Sequence, residues 1–183
     1  MKLIFAGGGT GGHLFPALAL AEEFKRVDPA TGIVFAGARG GLEEKIVPGY
    51  GYPLKLLSVE GIKRRKGLRR VKAVFKAAGA AFEAMRFIRK ERPDGVIGSG
   101  SYSSAPVVFA ARLLGIKTAI IEQNALPGLT NRLLGKIVDR VYISFEEARG
   151  FFPGGRTILT GNPVRRSILD SARKRSDKSD RFT

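Results

Sequence analysis

The chain has 183 residues, 44% of them apolar, and 24 glycines, which suits one sizeable α/β domain with a tail rather than a disordered or multidomain protein. No apolar run approaches bilayer-spanning length, the absence of cysteine excludes disulfides and thiolate metal sites, and a single histidine argues against zinc. A net charge of +16 requires an anionic partner: nucleic acid, a phosphorylated ligand or a membrane surface.

Met1-Lys2 runs straight into a buried-strand pattern, Lys2 to Ala6, which reads against a secretory signal and for a cytoplasmic protein. An amphipathic helix is predicted from Pro16 to Val27, with Pro16 in the first turn and Leu20, Phe24 and Val27 on one face. A second strand, Gly32 to Gly37, precedes a short helix at Leu42 to Val47 and a strand at Leu54 to Val59. A long helical pattern covers Leu68 to Lys90. Four more strands follow at Asp94 to Gly98, Lys117 to Glu122, Arg140 to Ser144 and Thr157 to Thr160, with helices at Pro106 to Leu114 and Leu129 to Val138 between the first three. Strand alternating with helix throughout predicts a Rossmann-like, doubly wound parallel sheet. Apolar periodicity is lost from Ser171 onward.

Ligands of open parallel sheets bind outside the carboxyl ends of the strands. Three loops at such ends carry unusual residues: Gly7 to His13, Gly98 to Ser104, and Glu122-Gln123-Asn124. Glycine turns let backbone N–H groups approach a ligand, and the helix behind adds its positive end, so a phosphate or diphosphate is the natural occupant. His13, the one histidine, sits at the lip of the first loop; imidazole kept neutral by a helix amino terminus is the form that takes a proton. Plainer uses stand beside these: Tyr102 as a packed aromatic with a wet hydroxyl, Glu122 as a capping acid, Asn124 as a turn residue. Gly7, Gly9 and Gly12 also match a dinucleotide fingerprint, but the second strand ends without an acid. Arg39 could meet a 2′-phosphate, which keeps an NADP-dependent oxidoreductase as a minor alternative.

The motifs GGGTGGHLFPALALA, GSGSYSSAP, IIEQNALPGLTNRLL and LTGNPVR, in this order over about residues 1–170, resemble the MurG family. These are bacterial transferases that add N-acetylglucosamine to undecaprenyl-linked muramyl-pentapeptide, turning lipid I into lipid II in peptidoglycan synthesis. The resemblance implies the N-terminal half of a GT-B glycosyltransferase: residues 1–166 as the acceptor-side domain, 167–183 as a linker or disordered tail, and the C-terminal donor-binding domain absent. It implies an inverting transfer from UDP-N-acetylglucosamine to a C4 hydroxyl, with no cofactor and no metal, and little turnover by this half alone. Thr10, Gly11 and Gly12 would meet the donor, joined by Asn124 and Arg165; Gly100, Ser101, Gln123 and Asn131 lie in the same motifs as substrate-binding candidates. His13 is the preferred base, with Tyr102 and Glu122 orienting the acceptor; Glu122 as base, with His13 on the diphosphate, is the alternative. A non-catalytic, membrane-anchoring half of a split glycosyltransferase is the competing function.

Ile62 to Arg92 is strongly basic, with acids only at Glu83 and Glu91. Leu68, Val71, Phe75, Phe82 and Met85 form an apolar stripe within it. Lys63, Arg64, Arg65, Lys66, Leu68, Arg69, Arg70 and Phe75 are assigned to contact with an anionic membrane, and the later residues to the core. The protein is therefore expected to be peripheral at the cytoplasmic face of the membrane. No nucleic-acid motif or stacking aromatics accompany the charge, so nucleic acid is not expected.

Overall fold

The computed structural model describes residues 1–59, 68–166, 168, 170 and 171, and for residues 68–77 the backbone alone. In chain order the elements are β1 (Lys2–Ala6), α1 (Gly11–Val27), β2 (Gly32–Ala38), α2 (Leu42–Ile46), a 3₁₀ turn (Val47–Tyr50), β3 (Leu54–Leu57) and α3 (Leu68–Glu91). They continue with β4 (Gly95–Gly98), α4 (Ser104–Leu113), β5 (Lys117–Glu122), α5 (Leu129–Leu134), β6 (Arg140–Ile143), a second 3₁₀ turn (Glu146–Phe151) and β7 (Thr157–Leu159).

All strand pairs are parallel, in the order β3-β2-β1-β4-β5-β6-β7. The order reverses between β1 and β4, so the loops leaving these two strands diverge to opposite faces and open a crevice at the carboxyl rim. The two faces are packed separately. On one, Ile4, Ala6, Val34, Ala36, Val96, Ile120, Val141 and Ile143 meet α3, α4 and α5 through Ala84, Ile88, Val107, Val108, Ala111 and Leu134. On the other, Leu3, Phe5, Ile33 and Phe35 meet Leu14, Ala17, Leu18 and Ala21 of α1. Phe5 and Phe35 stack there with ring centroids 5.4 Å apart.

The strands fall where the apolar runs place them, with ends shifted by a residue or two. The helices differ more. α1 begins at Gly11, ahead of the predicted start, so Pro16 lies inside the helix and His13 belongs to its first turn. Its core face is carried by Leu14, Ala17, Leu18 and Ala21, while Val27, expected to be buried, is 71% exposed at the helix end. Phe82 likewise points outward, whereas Met85 packs against the core. α5 stops at Leu134 because the chain turns at Gly135, although Val138 remains buried. Of the tail expected over residues 167–183, the described positions 168, 170 and 171 are helical.

The turn between α5 and β6 is held by Asp139, whose Oδ2 accepts from the backbone N–H of Thr118 at 2.8 Å and from its hydroxyl at 3.1 Å. The Thr118 N–H holds the Asp139 carboxyl below the usual aspartate range, opposed by partial burial and helped by the Thr118 hydroxyl and by Arg112. A folded pKa below the unfolded one means that this contribution is complete above the ordinary value of about 3.9 and is lost as pH falls through the folded value. Asp139→Asn should lower the thermal midpoint at neutral pH and flatten its decline on acidification. Equal acid slopes for the two proteins would remove Asp139 as a source of that decline.

Candidate active site at the carboxyl rim

The first loop leaves β1 at Gly7, whose N–H donates to the Ala36 carbonyl oxygen at 3.0 Å. Gly7 and Gly8 are buried, while Gly9, Thr10 and Gly12 stand exposed at the crest and at the start of α1. Thr10 makes no side-chain cap, and no acid occupies the first turn of α1. The N–H groups of Gly11 and Gly12 are therefore turned to the rim with the positive helix end behind them, an arrangement suited to an anion. Underneath the loop lies a residue that sequence reasoning missed, Glu43 of α2. Its carboxylate accepts from Gly9 N–H at 2.7 Å and Ala38 N–H at 2.8 Å.

The second loop, from β4 to α4, folds against His13. Its Nδ1 lies 2.9 Å from the Ser99 carbonyl oxygen, which can only accept, so Nδ1 carries a proton, and in the neutral imidazole Nε2 is the nitrogen with the free lone pair. Gln123 reinforces this: its Nε2 donates to the same oxygen at 3.3 Å, and its Oε1 is 3.4 Å from His13 Nδ1. Gly100 (φ +94°) must be glycine, since a β-carbon would fall 2.8 Å from His13 Nδ1. Ser101 adopts φ +67° without being glycine; its carbonyl accepts from the Ser104 hydroxyl at 2.9 Å, and its Oγ is 2.7 Å from that of Ser103. Tyr102 is exposed on the loop crest.

At the end of β5, Glu122 is buried, and both of its oxygens are engaged. Oε1 accepts from the Asn124 N–H and side-chain Nδ2, each at 2.9 Å, and Oε2 accepts from Asn131 Nδ2 at 2.9 Å. Asn131 Nδ2 also donates to the Ile121 carbonyl at 3.1 Å, and its buried Oδ1 has no partner among the described residues. Glu122 thus faces inward and holds Asn124, which is exposed, at the rim. Arg165 reaches back across the chain to the first loop's side: its guanidinium lies 4.4 Å over the Phe15 ring and donates to Tyr50 Oη at 3.0 Å.

His13 thus meets both Gly100 and Gln123, Asn124 and Asn131 share one carboxylate, and Thr10, Gly11 and Gly12 stand at the same rim. The membrane-contact residues Lys63, Arg64, Arg65 and Lys66 lie outside the described residues. Leu68, Arg69, Arg70 and Phe75 fall on α3 where only the backbone is described. A hollow of about 480 Å³ lies away from this rim: Ile97, Lys117, Ala119, Arg140 and Tyr142 line it, and it includes the amino-terminal ends of β4 and β5. A rim open to solvent on one side forms no enclosed cavity, so the convergence of polar groups is the better guide here.

A parallel sheet with glycine turns on both strands of its switch point defines a Rossmann-like, doubly wound domain with its ligand crevice at the carboxyl rim. Residues 3–143 match the glycosyltransferase family 28 N-terminal domain, and the chain belongs to that family. It is 49% identical over all 183 residues to the UDP-N-acetylglucosamine--N-acetylmuramyl-(pentapeptide) pyrophosphoryl-undecaprenol N-acetylglucosamine transferase of Myxococcus xanthus, covering 48% of that protein. The transferase of the same name from Syntrophus aciditrophicus is 46% identical over the same span, with 51% of its length covered. The crystal structure of MurG from Acinetobacter baumannii superposes with a TM-score of 0.75 at 30% identity, over 90% of this chain and 46% of that one. The chain spans about half the length of the curated relatives it matches.

The Glu122 network gives a direct measure of how much the rim depends on buried polar bonding. In Glu122→Gln the shape is kept, but an NH₂ group must face one of the donors from Asn124 or Asn131. The loss should be about 1–3 kcal/mol of stability, read from denaturant unfolding. An unchanged midpoint would mean that these bonds are not formed in solution.

Proposed function

We propose that this chain is the N-terminal, acceptor-side half of a transferase that moves N-acetylglucosamine from UDP-N-acetylglucosamine to the C4 hydroxyl of undecaprenyl-diphosphate-linked muramyl-pentapeptide. The observation that carries the reading is the contact of His13 Nδ1 with the Ser99 carbonyl oxygen. With Nδ1–H committed to Ser99, the free Nε2 is a proton acceptor between the first-turn amides of α1 and the second glycine loop. As the acceptor oxygen bonds to the anomeric carbon, its proton passes to Nε2. The carbon–oxygen bond to the diphosphate breaks, and the electron pair leaves with UDP. The N–H groups of Gly11 and Gly12, with the α1 dipole, relieve the charge that grows on the diphosphate.

Glu122, saturated by three hydrogen bonds, positions Asn124 and Asn131 rather than taking the proton. Tyr102, exposed beside His13's loop, orients the acceptor, with Gly100 and Ser101 at the same turn. Arg165 and Asn124 contribute to the donor side. The remaining donor contacts, and the donor-binding domain that holds them, belong to the half of the relatives' length that this chain does not span.

The lipid-linked acceptor makes a membrane surface the natural anionic partner, and no helix among the described residues is long and apolar enough to cross a bilayer. The basic stretch 63–70 with Phe75 is the contact, at the cytoplasmic face. Phe82, 56% exposed on α3, is a further apolar group available to a membrane surface.

Two measurements test this. In the full-length protein, His13→Ala should lower kcat by about 10²–10⁴-fold, the usual worth of a general base; near-normal turnover would exclude His13 as base. In flotation assays the chain should follow anionic vesicles and ignore neutral ones, and replacing Lys63, Arg64, Arg65 and Lys66 by glutamine should weaken that binding. Indifference to lipid charge would remove the membrane assignment.

A further inference from the structure

One buried acid at the rim has no part in the chemistry above. Glu43 is 0% exposed, and its two oxygens take the N–H groups of Gly9, at the crest of the first loop, and of Ala38, at the end of β2. Three glycines make room for it. A β-carbon at Gly8, Gly37 or Gly41 would overlap the Glu43 side chain. Gly41 has an ordinary φ of −77°, and Gly37 lies within β2, so neither is needed for its backbone conformation. Their missing side chains are the space the carboxylate occupies.

We propose that Glu43 is a positioning residue for the donor-side loop: it withdraws the Gly9 amide from the ligand and locks the crest, leaving the diphosphate to the first turn of α1. This rests on reading that rim as the diphosphate site. An open glycine loop offers every crest amide to an anion and can change register under it. Here the Gly9 amide is already spent on an internal acceptor, while those of Gly11 and Gly12, in the first turn of α1 beside His13, remain for the ligand. An acid directly behind an anion loop lowers the local positive potential, so affinity alone would not select it. An apolar residue would fill the volume but strand two backbone N–H groups. What remains is geometry: one carboxylate ties the β1–α1 loop to the β2–α2 loop, and so sets the donor relative to the histidine.

The test uses the full-length protein and its Glu43→Gln variant, which keeps the volume but offers one acceptor where two N–H groups point. The kcat should fall about tenfold or more, the scale of a lost charge-assisted hydrogen bond, with the KM for UDP-N-acetylglucosamine unchanged or lowered and the acceptor KM within about twofold. Gly41→Ala, which pushes the carboxylate out, should reproduce this fall and add nothing in a Glu43→Ala background. A fall that disappears when rates are referred to the folded, active fraction, or an unchanged kcat, overturns the assignment. UDP titrated into the native 183-residue chain, followed at the Gly11 and Gly12 amide resonances, separates the two claims. If UDP moves neither resonance and the full-length protein transfers no sugar, the diphosphate reading falls and takes the role of Glu43 with it. If both succeed while the variants match the native protein, only Glu43 falls.

Discussion

The rim is organised around a single carbonyl oxygen, that of Ser99. It accepts from His13 of α1 at 2.9 Å and from Gln123 after β5 at 3.3 Å, so three chain segments far apart in sequence meet on one acceptor. Because an oxygen of this kind cannot donate, it also decides which imidazole nitrogen keeps the proton. Gly100 is the steric condition for that contact, since any side chain there would displace the ring. The strand-order reversal between β1 and β4 supplies the rest, by bringing both glycine loops to the same crevice from opposite faces of the sheet.

Much of this was legible in the residues and some was not. Short, near-continuous apolar runs located the strands, because a parallel sheet buried on both faces demands them. The start of α1 was misplaced because Pro16 normally marks a first turn, whereas here the helix begins on glycines, whose low helical propensity is offset by packing of Leu14, Ala17 and Leu18. That shift matters to the site, since it moves His13 from a loop into a helix and fixes its direction. Glu43 was illegible for a different reason. Nothing in the stretch around it distinguishes a buried carboxylate from a solvated one until the glycines at 8, 37 and 41 are seen to surround it. The signal that could have found it is the pair Gly40-Gly41 beside the acids Glu43 and Glu44, with Gly37 just before. Asn131 was found through its motif, but that it shares the Glu122 carboxylate with Asn124 follows only from the return of α5 over β5.

The distribution of charge follows a consistent logic. The net charge of +16 acts over a distance and without geometric precision. At the rim the groups proposed to face an anion include the backbone amides of Gly11 and Gly12, which are fixed by the fold and need no reorganisation as charge develops. The two buried acids of the rim then have the same physical task from opposite sides. Glu43 and Glu122 each collect backbone or amide N–H donors that would otherwise be stranded below the surface, and each leaves an exposed residue, Gly9 or Asn124, held in one orientation. Negative charge behind a rim proposed to hold an anion weakens binding of the ground state. That is acceptable only where orientation is worth more than affinity, as it is when one anionic substrate must be aligned with a second before transfer.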